Sequence, residues 1–105
     1  PYTDIGWEVN ADSFYRMLKR YWKYGSIKAL MVTENGACYT DAVTNGKVHD
    51  AQRIQYFQQY LQAMHKAKQE GVNVKGYVAW TLTDNFEWAY GYAARFGLVY
   101  IDYAL

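Results

Sequence analysis

With Cys38 as its only cysteine, the chain cannot form an internal disulfide and lacks the thiols for most zinc sites; it is compatible with a reducing compartment. An excess of one charge is also missing. Eleven Lys and Arg nearly balance ten Asp and Glu, dispersed along the chain, so there is no electrostatic footprint for nucleic acid or an anionic membrane. No apolar run approaches the length of a membrane span and no signal peptide is visible, which favours a cytoplasmic setting while leaving the compartment open. Internal repeats, low-complexity segments and a Gly-rich phosphate cradle are absent. His49 and His65 have no partners at metal-ligand spacing, and "DAVTNGKVHD" lacks the alternating acids of a calcium loop, so no metal or cofactor is expected.

What is abundant is aromatic. Twelve Tyr, four Trp and four Phe make up 19% of the chain, giving flat apolar surfaces with hydroxyl or indole handles that suit a core or a planar ligand. The 51% apolar and 20% charged content is otherwise ordinary for a globular protein, and 105 residues allow one domain at most. The sequence opens at Pro1 with no initiator Met, which fits a processed, engineered or excised piece.

Asp12 is a candidate N-cap for a helix in which Phe14, Met17, Leu18, Tyr21 and Trp22 recur at helical spacing until Gly25 ends it. "IKALMVTENG" reads as a buried strand over residues 29 to 33, with Glu34 following it directly. Residues 35 to 49 form a loop whose clearest turn signal is Asn45-Gly46. Asp50 can cap a second helix, with Ile54, Phe57, Leu61 and Met64 as its apolar stripe, widened by Tyr56, Tyr60, Ala63 and Ala67, and with Gly71 closing it. "KGYVAWTL" is a second buried strand, and "FGLVYID" a third extended stretch of open pairing. A strand, a crossover helix and a second strand make a right-handed βαβ unit with parallel strands. Such strands require cover on both faces, and two of them cannot supply it, so the chain is expected to be part of a larger α/β assembly.

Functional residues of α/β sheets and barrels gather at the carboxyl ends of the strands. Glu34 follows the first strand, and Glu87 lies in the loop after the second, five residues beyond Leu82; adjacent parallel strands would set both loops on one rim. Paired carboxylates with aromatic walls fit glycoside hydrolysis, although an acid at a strand end is more often a solvated loop charge or a helix cap.

Specificity comes from a resemblance. "VTENG" at residues 32 to 36, "VHDAQRIQYFQQYLQAM" at 48 to 64 and "GYVAWTLTDNFEWAYGYAARFGLVYID" at 76 to 102 resemble the C-terminal part of glycoside hydrolase family 1, the β-glucosidase family; "DIGWEV" at 4 to 9 is similar to the segment before its seventh strand. The resemblance spans residues 1–105 without a sizeable gap and implies part of a (β/α)8 TIM barrel, about its last two βα units, incomplete as a single chain. It implies a retaining β-glycosidase whose nucleophile is Glu34, placed about 5 Å from a second carboxyl group. The acid/base Glu of that family lies in an Asn-Glu-Pro motif, which does not occur here, so the acid must come from another segment or the chain cannot perform the full reaction.

By the same resemblance Glu87 accepts hydrogen bonds from sugar hydroxyls, Trp80 is the stacking platform under the apolar face of a pyranose, Trp88 offers an indole donor and Phe96 lines the pocket. The Glu87–Trp88 pair fits an unphosphorylated β-glycoside, since a carboxylate repels a phosphate. Thr83 departs from the larger apolar residue usual there, and Cys38 and Tyr90 vary in flanking loops, which bears on the aglycone rather than on the chemistry. The expected partners are a β-glycoside and a complementary barrel segment or a second copy of the chain. Two readings compete with hydrolysis: a sugar-binding module that keeps the aromatic platform without catalysis, and a purely structural piece of a split or designed barrel.

Overall fold

A computed structural model describes residues 1–105. Six elements are ordered α1 (Ala11–Trp22), β1 (Leu30–Asn35), β2 (Val43–Thr44), β3 (Lys47–Val48), α2 (Ala51–Gln69) and β4 (Val74–Ala79), followed by one 3-10 turn over Trp88–Tyr90. β1 and β4 run parallel, with Leu30 opposite Val74 and Val32 opposite Tyr77, and α2 is the crossover between them. Both helices pack on the sheet through one apolar cluster that joins Phe14 and Leu18 of α1 to Val32, Tyr56, Tyr60, Ala67 and Val74. Met31 and Val78, on the strands, remain exposed. The shape follows from this one-sided cover. The radius of gyration is 15.7 Å and the extents are 51 × 24 × 23 Å, against about 13 Å for a compact domain of this length. The chain is elongated.

Several boundaries differ from the sequence reading, each for a local reason. Asn10, not Asp12, caps α1: its side chain accepts from Ser13 N at 2.9 Å, while Asp12 sits in the first turn and pairs with Arg16 at 2.8 Å. The helix ends at Trp22 rather than near Gly25, its exit tightened by i→i+3 bonds from Lys23 and Tyr24. β1 extends to Asn35, so Glu34 lies inside the strand rather than after it. The loop after β1 contains the small hairpin β2–β3, because Asn45 (φ 52°) and Gly46 (φ 73°) both adopt the left-handed backbone that a two-residue turn demands.

On α2 the buried residues are Arg53, Tyr56, Tyr60 and Ala67, whereas Ile54 and Leu61 of the expected stripe are 56% and 40% exposed. Polar-tipped tyrosines face inward because their hydroxyls find partners there. Asp50 holds the N-cap position, but its carboxylate bonds Arg53 instead of the helix amides. Gly71, at φ 101°, closes α2 as expected: Val72 N returns to Ala67 O and Gly71 N to Lys68 O. β4 stops at Ala79, short of the expected Leu82. The stretch 97–102 forms no ladder strand; it runs beside 81–84, with Leu98 N on Thr81 O, Val99 N on Leu82 O and one parallel bridge between Thr83 and Val99. No helix is long and apolar enough to cross a membrane.

Candidate active site

The parallel pair delivers Glu34, the penultimate residue of β1, and Trp80, the residue after β4, to the same end of the sheet, where Trp80 N donates to Asn35 O at 2.8 Å. The Trp80–Thr81 peptide is cis. Gly36 permits this approach, since a Cβ there would stand 1.8 Å from Trp80 O. Beyond β4 the chain turns back at the 3-10 segment, where Glu87 N donates to Gly91 O at 2.7 Å and Trp88 takes a left-handed φ of 44°. That turn leaves Glu87 half-buried and Trp88 83% exposed. Phe96 returns underneath, 3% exposed, its ring 5.9 Å from that of Trp7.

The result is one open cleft of about 500 Å³ lined by Glu34, Trp80, Glu87, Trp88 and Phe96, the five residues singled out in the sequence, together with Trp7, Asn35, Gly36 and Tyr56. Two carboxylates and five aromatic rings face it, and no cation does. Such a surface offers acceptors for hydroxyls and flat faces for C–H groups. Trp7, within "DIGWEV", carries no such signal, because nothing in its spacing separates a wall residue from a packed one. Cys38 does not reach the cleft: it is buried against Ala94 and Phe96, and burial pushes its thiol up.

Two ion-pair knots hold the rim. Arg53 of α2, only 1% exposed, bonds Asp41 at 3.0 Å and Asp50 at 2.5 Å, and also donates to Ala37 O at 3.3 Å and Arg95 O at 2.8 Å. One guanidinium thereby ties the loop after β1 to the loop after β4. Its own burial opposes the charge, but the hydrogen bonds to Asp50 and Asp41 outweigh that and keep it protonated; burial also raises the Asp41 carboxyl against the pull of Arg53. In the second knot the carboxylate of Asp84 accepts from Gly97 N at 2.9 Å, Ile101 N at 3.1 Å and Arg95 at 2.6 Å. Arg95 lies over the Tyr100 ring at 4.1 Å. A Cβ at Gly97 would come 2.3 Å from Asp84 N, so this crossing also needs glycine. The sequence held a signal for Arg53: it falls seven residues before Tyr60 on the inward stripe of α2, a charge whose burial needs partners, which Asp50 supplies locally and Asp41 from the loop after β1.

Parallel strands, a crossover helix packed on one face and a cleft at the carboxyl ends define a segment of an α/β barrel. The glycosyl hydrolase family 1 model matches residues 1–105. β-Glucosidase A of Thermotoga maritima is 46% identical over 99% of this chain, which covers 24% of that protein. The solved family 1 β-glucosidase from Thermotoga maritima superposes with a TM-score of 0.95 over 99% of this chain and 24% of that one, and has also been solved with isofagomine lactam. The psychrophilic β-glucosidase of Micrococcus antarcticus gives a TM-score of 0.96 at 47% identity, over 99% of this chain and 23% of its own. A 6-phospho-β-galactosidase of Clostridium acetobutylicum is 43% identical over 98% of this chain and 22% of its own length. The chain belongs to glycosyl hydrolase family 1 and builds part of its TIM barrel; it spans about a quarter of the length of the relatives it matches.

Proposed function

We propose that this segment supplies the nucleophile and part of the sugar pocket of a retaining β-glycosidase acting on terminal, unphosphorylated β-D-glycosides. The observation that carries the reading is the convergence of Glu34, Trp80, Glu87, Trp88 and Phe96 on one cleft at the carboxyl ends of β1 and β4. In the first step a carboxylate oxygen of Glu34 bonds to the anomeric carbon as the bond to the aglycone oxygen breaks, and a proton passes to that oxygen from an acid outside these 105 residues. Water then displaces Glu34, so two inversions retain the configuration. Trp80 lies under the apolar face of the ring, Glu87 accepts from its hydroxyls, the Trp88 indole donates to one and Phe96 closes the floor. The similarity to a 6-phospho-β-galactosidase raises the phosphorylated alternative; two carboxylates and no cation in the cleft weigh against it.

Grafting residues 1–105 in place of the matching quarter of the Thermotoga maritima β-glucosidase tests this. The graft is expected to cleave an aryl β-glucoside with retention, and Glu34→Gln to lower turnover by at least about 10³-fold; undiminished turnover in that variant would refute the assignment. The lack of Asn-Glu-Pro supports a second reading for the chain by itself, sugar binding without hydrolysis. Glucose would then quench its tryptophan fluorescence while no aryl glucoside is cleaved.

A further inference from the structure

Asn35 follows Glu34 directly and ends β1 at the cleft. Three bonds from two other parts of the fold converge on it. Its carbonyl accepts from Trp80 N at 2.8 Å, its Nδ2 donates to Tyr56 Oη of α2 at 3.0 Å, and its Oδ1 accepts from Tyr77 Oη of β4 at 2.5 Å. An amide has a donor end and an acceptor end, and here each end meets a phenol in the complementary role. The sheet alone does not fix this place, because the pairing register between β1 and β4 is irregular from Val32 to Asn35. Where the ladder slackens, the side-chain bridge takes over. Burial raises both phenols, Tyr77 to about 12 and Tyr56 in the same direction, so each keeps its proton at neutral pH and Tyr77 remains a donor.

We infer that Asn35, braced by Tyr56 and Tyr77, is the positioning residue that sets where the Glu34 carboxylate stands relative to the Trp80 platform. The inference rests on the reading of Glu34 as nucleophile. A nucleophile must be held close to its attack geometry, and small displacements are costly in rate. The bridge acts on that geometry through the end of β1, which carries Glu34 and Asn35 side by side. Trp80 is held to the same residue through the main chain, so Asn35 is the common reference for nucleophile and platform.

The test uses the grafted barrel with Tyr77→Phe, Tyr56→Phe, Asn35→Ala and the double variant Asn35→Ala/Tyr77→Phe. Tyr77→Phe is expected to lower kcat about tenfold with KM held within about twofold. The double variant is expected to be no slower than Asn35→Ala alone, since Tyr77 acts through Asn35. A 2-deoxy-2-fluoroglucoside with a dinitrophenolate leaving group gives a second readout: Glu34 forms an ester with the anomeric carbon as the phenolate departs, and mass spectrometry follows the adduct. Its formation should slow in both phenylalanine variants, which delete one oxygen each and keep the rings packed if Asn35→Ala fails to fold. Wild-type kcat in Tyr77→Phe, a loss confined to KM, or losses that multiply in the double variant would each overturn the inference. Glu34→Gln separates the two levels. Turnover surviving in it removes the nucleophile reading and this inference together, whereas a dead Glu34→Gln beside an unimpaired Tyr77→Phe removes the positioning role alone.

Discussion

On the helix side of the sheet, Tyr56 stacks on Tyr60 at 4.2 Å, Phe14 lies 5.3 Å from the Tyr60 ring, and Leu18, Val32 and Val74 fill in around them. At the rim, the rings of Trp80 and Trp88 stand open, and what holds the backbone is charge: Arg53 between Asp41 and Asp50, Arg95 on Asp84. The difference follows from what each region must leave exposed. A surface that leaves its aromatics open, as the proposed sugar pocket does, is not stabilised by burying them, and here its loops are tied by hydrogen-bonded ions. Such knots contribute little net stability while whole, and cost much when one partner is lost.

The sharpest way to break this comparison is Arg53→Met, which strands the Asp41 carboxylate, itself 3% exposed, together with the carbonyls of Ala37 and Arg95. In the grafted barrel it should cost about 3–5 kcal/mol in denaturant unfolding and lower kcat as well, with partial recovery on adding Asp41→Asn. A loss no larger than that of a surface pair would show that the rim does not depend on its ions. Phe14→Leu tests the other region with a smaller effect, about 1 kcal/mol of stability with kcat and KM at their unsubstituted values. A change in kcat there would mean that helix packing and rim chemistry are not separable. Smallest should be Asp12→Ala, since the Arg16–Asp12 pair is 76% and 59% exposed: less than about 0.5 kcal/mol, measured the same way.

The sequence made the element order and the cleft residues legible because both are local or motif-borne. "VTENG" and "NFEW" place Glu34, Glu87 and Trp88 without knowledge of the packing, and Gly71 announces the end of α2 by its freedom at positive φ. What stayed hidden depends on residues far apart in the chain. Arg53 looks misplaced on an apolar stripe until the hairpin loop brings Asp41 to it. The inward choice of Tyr56 and Tyr60 over Ile54 and Leu61 depends on partners for their hydroxyls: Asn35 for Tyr56 and the Asn10 amide for Tyr60. Asn10 outcompeted Asp12 as cap because its backbone is already anchored by that tyrosine. That these five residues share one cleft is thus foreshadowed by motif, while the contacts that hold their loops are not.

The two phenols flanking Asn35 also couple the fold to alkali. Unfolding exposes Tyr77 to water, where it releases its proton near the ordinary 10.0, whereas in the folded chain it holds that proton to about 12. The folded state therefore binds more protons across that interval, and stability falls as pH rises. The contribution is full below the ordinary value and is lost as pH climbs through about 12, with Tyr56 adding in the same direction. Denaturation midpoints of the grafted barrel, followed by tyrosinate absorbance, should decline over this range, and Tyr77→Phe should flatten the decline. The bridge that aims a carboxylate at neutral pH is in this sense a proton store, and deprotonating it would release the strand it braces.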